Sequence, residues 1–282
     1  MDDAELALRE HENMIASFAI AGSQVDGAVI RRADGVALIA TGLSLRALNQ
    51  VIVYADDATT AAVAAAVAVT RGRRDRFVVS LRVGADDRLV PLMAELGLVP
   101  MSDEPPVPGM ALHPIPAGPL PTIPAGPLPT IPGHAIRRVT DVVGLHDHVR
   151  TAAAGFEMDE ATIRAFMGPG LLGRPDTAVY VGYAEGEAVT AGLGIRTGDT
   201  IGVYNIATRE TARRRGYGAA MTARIAADGA ADGCDVAVLQ ASPMGLSTYE
   251  RLGYRTVVRY TWYAEPGDPG DGDEPRGTPP AD

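Results

Sequence analysis

Arg213, Arg214 and Arg215 stand directly before Gly216, Tyr217 and Gly218, and this combination of fixed charge and bare backbone could hold a phosphate. Glycine at 216 and 218 lets backbone N–H groups point into a concavity that a Cβ would obstruct. Ala219, Ala220, Met221, Ala223, Ile225 and Ala226 follow with no breaker before Gly229, so the group opens a helix and its donors lie at the positive end of the helix dipole. A pyrophosphate is the simplest occupant, and a solvated basic turn is the plain alternative, because two glycines one residue apart are a weak pattern alone. A P-loop is excluded, since the chain has no lysine and therefore no Gly-x-x-x-x-Gly-Lys-Ser/Thr loop, and the missing third glycine argues against a dinucleotide fingerprint.

The same motif, Arg213-x-x-Gly216-x-Gly218 after an apolar run, is followed by Val236-Ala237-Val238-Leu239-Gln240, then Ala241-Ser242-Pro243, then Tyr249-Glu250-Arg251-Leu252-Gly253-Tyr254. In this order the segments resemble the GCN5-related N-acetyltransferases (GNAT). The resemblance implies that Arg213, Arg214, Arg215, Gly216, Tyr217, Gly218 and Ala219 cradle the pyrophosphate of acetyl-coenzyme A (acetyl-CoA). It also implies an irregular strand at Ile206, Ala207 and Thr208 that exposes backbone groups to the pantetheine arm, with one N–H polarising the thioester carbonyl. Ser242 stands near where the family often touches pantetheine, with a turn-forming Ser-Pro as the simpler alternative. Tyr249 is implied as the general acid toward the coenzyme sulfur, since a phenol with pKa about 10 is protonated at neutral pH. The other reading of Tyr249 is a helix tyrosine packed on the sheet.

No general base is assigned by sequence. Strand 201–208 carries only Tyr204, Asn205 and Thr208 as polar side chains, and strand 236–240 offers Gln240. Glu157, Asp159 and Glu160 are the best carboxylate candidates, but acids at a helix start are more often solvated end groups. His146 and His148 are two apart and cannot share a helix face, so no metal is indicated. Phe156 and Met158 could line an apolar acceptor pocket or belong to the core.

These residues need elements to position them. Residues 135–139 read as a strand, Gly144 to Ala154 and Glu160 to Met167 as helices, and Thr177 to Ala184 and Ala188 to Arg196 as a hairpin feeding the strand at 201–208. Pro116 to Ile123 is repeated as Pro124 to Ile131, and such proline density forbids helix and interior strand. The expected division is therefore a domain at 1–113, a linker at 114–134, a domain at 135–264 and an acidic, Pro- and Gly-rich disordered tail at 265–282. The linker serves as a spacer or as a proline-motif ligand.

Shifting the first half by 156 positions lays Asn49 on Asn205, Leu96-Gly97 on Leu252-Gly253, and the alanine-rich run from Thr60 to Thr70 on the helix after Gly216. At the chemical positions the copy fails: Asp57, Thr60 and Ala62 replace Arg213, Gly216 and Gly218, and Met93 replaces Tyr249. The expected fold class is α/β (α+β), a tandem GNAT-like fold with a mixed central sheet, helices on both faces and the second copy active. The first copy is left to complete the sheet, wall off the acceptor pocket or mediate dimerisation, so a homodimer stays open.

The net charge of −10 argues against nucleic acid and favours a cationic acceptor. The acidic start Met1-Asp2-Asp3-Ala4-Glu5 is unlike a signal peptide, the longest apolar run of the first half is half the length of a membrane span, and the single Cys234 fits a reducing cytoplasm. The expected function is an N-acetyltransferase with acetyl-CoA as co-substrate, no metal, and a small-molecule or protein amine as acceptor. The alternatives are a non-catalytic acyl-CoA-binding regulatory module, or a structural protein whose arginine turn is merely solvated.

Overall fold

The computed structural model describes residues 1–101, 106–116 and 131–267. In chain order these form α1 (Asp3–Gly22), β1 (Val29–Ala33), β2 (Val36–Ala40), β3 (Asn49–Val53), α2 (Thr60–Arg73), β4 (Val78–Arg82), α3 (Val90–Glu95), β5 (Val99–Pro100) and β6 (Val107–Leu112). There follow β7 (His134–Arg138), α4 (Val142–Phe156), α5 (Glu160–Phe166), β8 (Thr177–Ala184), β9 (Glu187–Thr197), β10 (Thr200–Thr208), α6 (Tyr217–Ala231), β11 (Val236–Gln240), α7 (Leu246–Arg251) and β12 (Arg255–Ala264). Most of the expected proline linker and of the acidic tail lies outside the described residues. No helix among the described residues is long and apolar enough to cross a membrane.

The described residues form two compact units, one from 1–28, 106–116 and 131–260, the other from 29–101 and 261–267. The sequence division at 113 and 135 runs across these units, because α1 and β6 fold with the second half of the chain.

In the first unit the sheet order is β12–β6–β11–β10–β9–β8–β7. Its strands pair antiparallel except β10 with β11, which are parallel and joined through α6. One face is covered by α6, whose Met221, Ile225 and Ala226 pack with Ile201, Val203 and Leu239. Gly192 and Gly194 of β9 make that approach possible, since a Cβ on either would meet Met221 or Ile225 at 2.7–3.1 Å. The opposite face is covered by α4 and α5 through Leu145, Val149, Ala152 and Ile163, and by α1, whose Leu6 meets Ala111, Val236 and Val238.

Asp2 starts α1 by accepting from the Glu5 N–H, and the helix buries Leu6, Glu10, Asn13, Met14 and Ser17. That spacing is the stripe of a packed helix, yet three of its five members are polar.

The second unit orders β1–β2–β3–β4, antiparallel until the parallel β3/β4 pair, with α2 as its crossover. Val63 and Val67 of α2 pack onto Val51, Val53, Val79 and Leu81. The succession β1-β2-β3-α2-β4-α3-β5 repeats β8-β9-β10-α6-β11-α7-β12. Adding 156 carries α3 from 90–95 onto 246–251, the bounds of α7, and α2 from 60–73 onto 216–229, against 217–231 for α6. The duplication read from a thin sequence match is thus a duplication of the fold.

Candidate functional site

β10 and β11 pair only at Thr200–Val236, Ile201–Ala237 and Gly202–Val238, although β10 continues to Thr208 and β11 to Gln240. Beyond Gly202 the two parallel strands part, and the backbone groups along that edge of β10 have no ladder partner in β11. On its other edge β10 breaks register with β9 between Tyr204 and Ala207, leaving Asn205 and Ile206 unpaired, with Asn205 at φ 53°. Such a bulge twists a strand and re-aims its side chains. Here Tyr204 turns toward α1, Ile206 toward α6 and Ala207 toward α4.

The bulge is held from behind. His148 Nδ1 lies 3.0 Å from the Tyr180 carbonyl, which can only accept, so Nδ1 carries the proton and Nε2 accepts from Asn205 Nδ2 at 2.8 Å. Burial keeps this imidazole neutral by lowering its pKa to about 4. Gly155 at the end of α4 lets the helix reach the strand, since a Cβ there would stand 2.9 Å from Ala207 Cβ and from the Thr208 N–H nitrogen. The Thr190 hydroxyl donates to the Ala207 carbonyl at 2.7 Å.

Next to this gap lies the Arg-Gly turn. Arg214 and Gly216 both have positive φ, 61° and 85°, and Gly216 is the N-cap residue of α6 with no side chain capping the helix. No side chain satisfies the first-turn N–H groups of this helix. Gly218 has no positive φ, and a Cβ there would meet Thr208 Oγ1 at 3.5 Å and Ile206 Cγ2 at 3.8 Å, ordinary contacts. The fold itself does not demand glycine at 218, so its bare backbone suits a group approaching from outside. At the corresponding helix of the second unit, Thr59 caps α2 by accepting from the Ala62 N–H at 3.1 Å, and one donor is already taken.

The three arginines divide. Arg213 is committed internally, donating to the carbonyls of Gly155 at 2.8 Å and Thr208 at 3.4 Å and pairing with Glu157 at 3.1 Å. It is a strut tying the turn to the end of α4. Arg214 and Arg215 are exposed, with the Arg215 guanidinium 5.3 Å from the Tyr217 ring centroid. Tyr217 itself is buried against His134, so only its backbone is available to a ligand. Ala219 is partly buried, packed in the α6 core.

At the end of β11, Ser242 and Tyr249 meet across Gly245, where a Cβ would lie 2.7 Å from the Tyr249 ring and 3.4 Å from Ser242 Oγ. Ser242 Oγ accepts from the Gly245 N–H, the turn role weighed for it above. The Tyr249 ring packs edge-on to Tyr254, and burial raises its pKa to about 12, so the phenol stays protonated. The carboxylates singled out by sequence have structural partners: Asp159 caps α5, Glu160 pairs with Arg164 and Glu157 pairs with Arg213.

Sequence reasoning passed over a buried carboxylate. Glu10 of α1 is fully buried beside Gln240 at the end of β11, its Oε1 accepting from Gln240 Nε2 and its Oε2 from the Tyr260 hydroxyl at 2.5 Å. The signal was present as Leu6, Glu10, Asn13 and Ser17 at helical spacing, but without the sheet nothing said which face of that helix was inside. Among the described residues no group of three His, Cys, Asp or Glu side chains is placed to hold a metal.

The family described as acetyltransferase (GNAT) domain matches residues 175–256, which span β8 to the start of β12. A GCN5-related N-acetyltransferase from Kribbella flavida has a similar fold, with a TM-score of 0.65 at 16% identity over 91% of this chain and 96% of that one. Another from Sphaerobacter thermophilus gives 0.55 at 14% over 84% and 82%. A tandem GNAT protein from the clavulanic acid biosynthesis pathway, in a structure without AcCoA, gives 0.54 at 14% over 85% and 83%. No curated protein matches the sequence.

Proposed function

We propose, for a chain that carries a GNAT domain within a tandem GNAT fold, that its first unit transfers an acetyl group from acetyl-CoA to a primary amine of a small molecule or protein. The observation that carries this reading is the parting of β10 and β11 beside an uncapped, glycine-bearing helix start. A linear ligand with an anionic middle and a reactive end fits that pair of features, and its bound thioester would supply the acetyl group.

The residues divide the work. The N–H groups of Gly216, Tyr217, Gly218 and Ala219, with Arg214 and Arg215, hold the pyrophosphate, while Arg213 braces the turn. The free edge of β10 at Ile206, Ala207 and Thr208 hydrogen-bonds the arm, and a preorganised N–H at the bulge stabilises charge developing on a carbonyl oxygen. His148 and Asn205 fix that bulge in place. The Tyr249 hydroxyl holds a proton for the departing sulfur, and Ser242 lines the same end of β11. The second unit has Thr59 where the cradle would be, and we assign it no acetyl-CoA site.

Isothermal titration of the full chain with acetyl-CoA, beside the Gly218→Glu variant, tests the reading. Position 218 has room for a side chain and an acid at a helix start favours the helix, so the variant should keep its melting temperature. Its carboxylate faces the phosphates, and binding should be lost. A wild type that does not bind acetyl-CoA overturns the proposal.

A further inference from the structure

The stripe of α1 that faces the sheet holds polar groups that the assignments above leave unused. Glu10 accepts from Tyr260 and Gln240, and His11 Nδ1 lies 2.9 Å from the Tyr260 oxygen. Tyr260 already donates to Glu10, so its oxygen accepts from the His11 ring N–H. One turn further along, Asn13 Oδ1 accepts from the Tyr204 hydroxyl at 2.6 Å, and Asn13 Nδ2 donates to the Ile195 carbonyl at 3.0 Å.

The sheet is built to admit this cluster. A Cβ on Gly109 of β6 would lie 2.6 Å from Glu10 Cδ, and a Cβ on Gly202 of β10 would lie 1.9 Å from Asn13 Oδ1. Two strands thus give up side chains beneath α1 so that a carboxyl and an amide can reach in. A buried carboxylate is costly, and an apolar residue of similar size is usually as stable or more so. The cluster lies at Gln240 and Tyr204, the residues that flank the parting of β10 and β11.

We propose that Glu10, supplied by the helix at residues 3–22 and outside the segment that matches the GNAT domain, is the base that deprotonates the amine acceptor. This rests on the acetyl-transfer reading of the same site. An alkylammonium acceptor has one proton too many to attack, and the Glu10 carboxylate takes it. The N–C bond then forms as the thioester C–S bond breaks, the nitrogen loses its second proton, the sulfur gains one to become a thiol, and Glu10 releases its proton to solvent. Burial lifts the Glu10 pKa to about 7 against the pull of its donors Tyr260 and Gln240, which suits a base working at neutral pH. Among the described residues, the buried Tyr204 interacts with the Glu10 charge, and His11 contacts its donor Tyr260.

The test measures acetyl transfer by the full chain at saturating acetyl-CoA, from pH 5 to 9, with two probes: propylamine, an ammonium at neutral pH, and hydroxylamine, already neutral there. Glu10→Gln should slow propylamine transfer by about 10²–10⁴-fold and erase the limb near pH 7. Hydroxylamine transfer should hold within a few-fold, with acetyl-CoA affinity by calorimetry unchanged. Equal losses with both probes would mark a structural role and overturn the proposal, as would survival of the limb, or acetyl-CoA binding by a wild type that acetylates neither probe. Should Glu10→Gln lower the melting temperature sharply, Tyr260→Phe keeps the carboxyl and removes one donor, and the limb must then move to higher pH. Absence of acetyl-CoA binding by the wild type is a separate result, which removes the acetyl-transfer reading and this base with it.

Discussion

The proton tasks proposed for Tyr249 and Glu10 are opposite, and burial raises the pKa values of both. A phenol at about 12 is a reserve of one proton, so Tyr249→Phe should cut turnover by about 10²–10⁴-fold while leaving acetyl-CoA affinity intact. Unchanged turnover would favour a binding module. Glu10 and His148 also bear on stability, with opposite signs. Glu10 ionises near 7 when folded and near 4.5 when unfolded, so its ionisation costs stability as pH rises from about 4.5 to 7. His148 takes a proton near 6.5 unfolded and near 4 folded, so stability falls as pH drops through that range. Each shift corresponds to roughly 3 kcal/mol, and in wild type the two offset each other between about pH 4.5 and 6.5. Melting curves should uncover them separately: Glu10→Gln should become more stable relative to wild type as pH rises from 5 to 8, and His148→Gln relative to wild type as pH falls from 7 to 4. A Glu10→Gln difference that is flat with pH would refute the raised pKa.

At the scale of elements, the decisive feature is a strand that fails to keep its partners. β10 is bound along β9 and, at its start, along β11, and is then released on both edges near Tyr204. Gly155 is the contact that sets how close α4 presses on that release point. Gly155→Ala would push a methyl into Ala207 and the Thr208 backbone, and the bulge must shift. Overpacking of this kind costs about 1–3 kcal/mol, and acetyl transfer should fall more than the melting temperature suggests, because the displaced backbone is the proposed carbonyl donor. Paired melting and rate measurements on this variant would show whether the two losses separate. The helix starts make the complementary point: no side chain caps α6, whereas Thr59 satisfies one donor of α2, so two copies of one fold differ at the helix start where binding is proposed.

At the scale of the molecule, the unit containing the GNAT segment is assembled from two stretches of chain. β6 lies between β11 and β12, and α1 covers the face formed by β6, β10 and β11. A fragment of residues 135–264 would lack both, leaving the ladder edges of β11 and β12 unpaired and Val236 and Val238 uncovered. That fragment should be insoluble or unfolded by circular dichroism, whereas residues 1–267 should melt cooperatively. A cooperatively folded 135–264 fragment would show that β6 and α1 are dispensable.

The sequence by itself determined the local elements, including the helix start at which the anion cradle is proposed. Strands 177–184 and 236–240 appear at the bounds read from their apolar and alternating runs, and the helix after Gly216 forms where the alanine-rich run placed it, because periodicity and glycine act over a few residues. The duplication at an offset of 156 positions was legible for the same reason, as a repeated order of such elements. What tertiary structure alone decided depends on contacts distant in sequence. Glu10 reaches Gln240 and Tyr260 across 230 and 250 residues, Asn205 reaches His148 across 57, and Arg213 is drawn away from the cradle to the end of α4. No local pattern encodes which strand a distant helix will cover, and burial, which turns an ordinary glutamate into a candidate base, exists only once the sheet has formed.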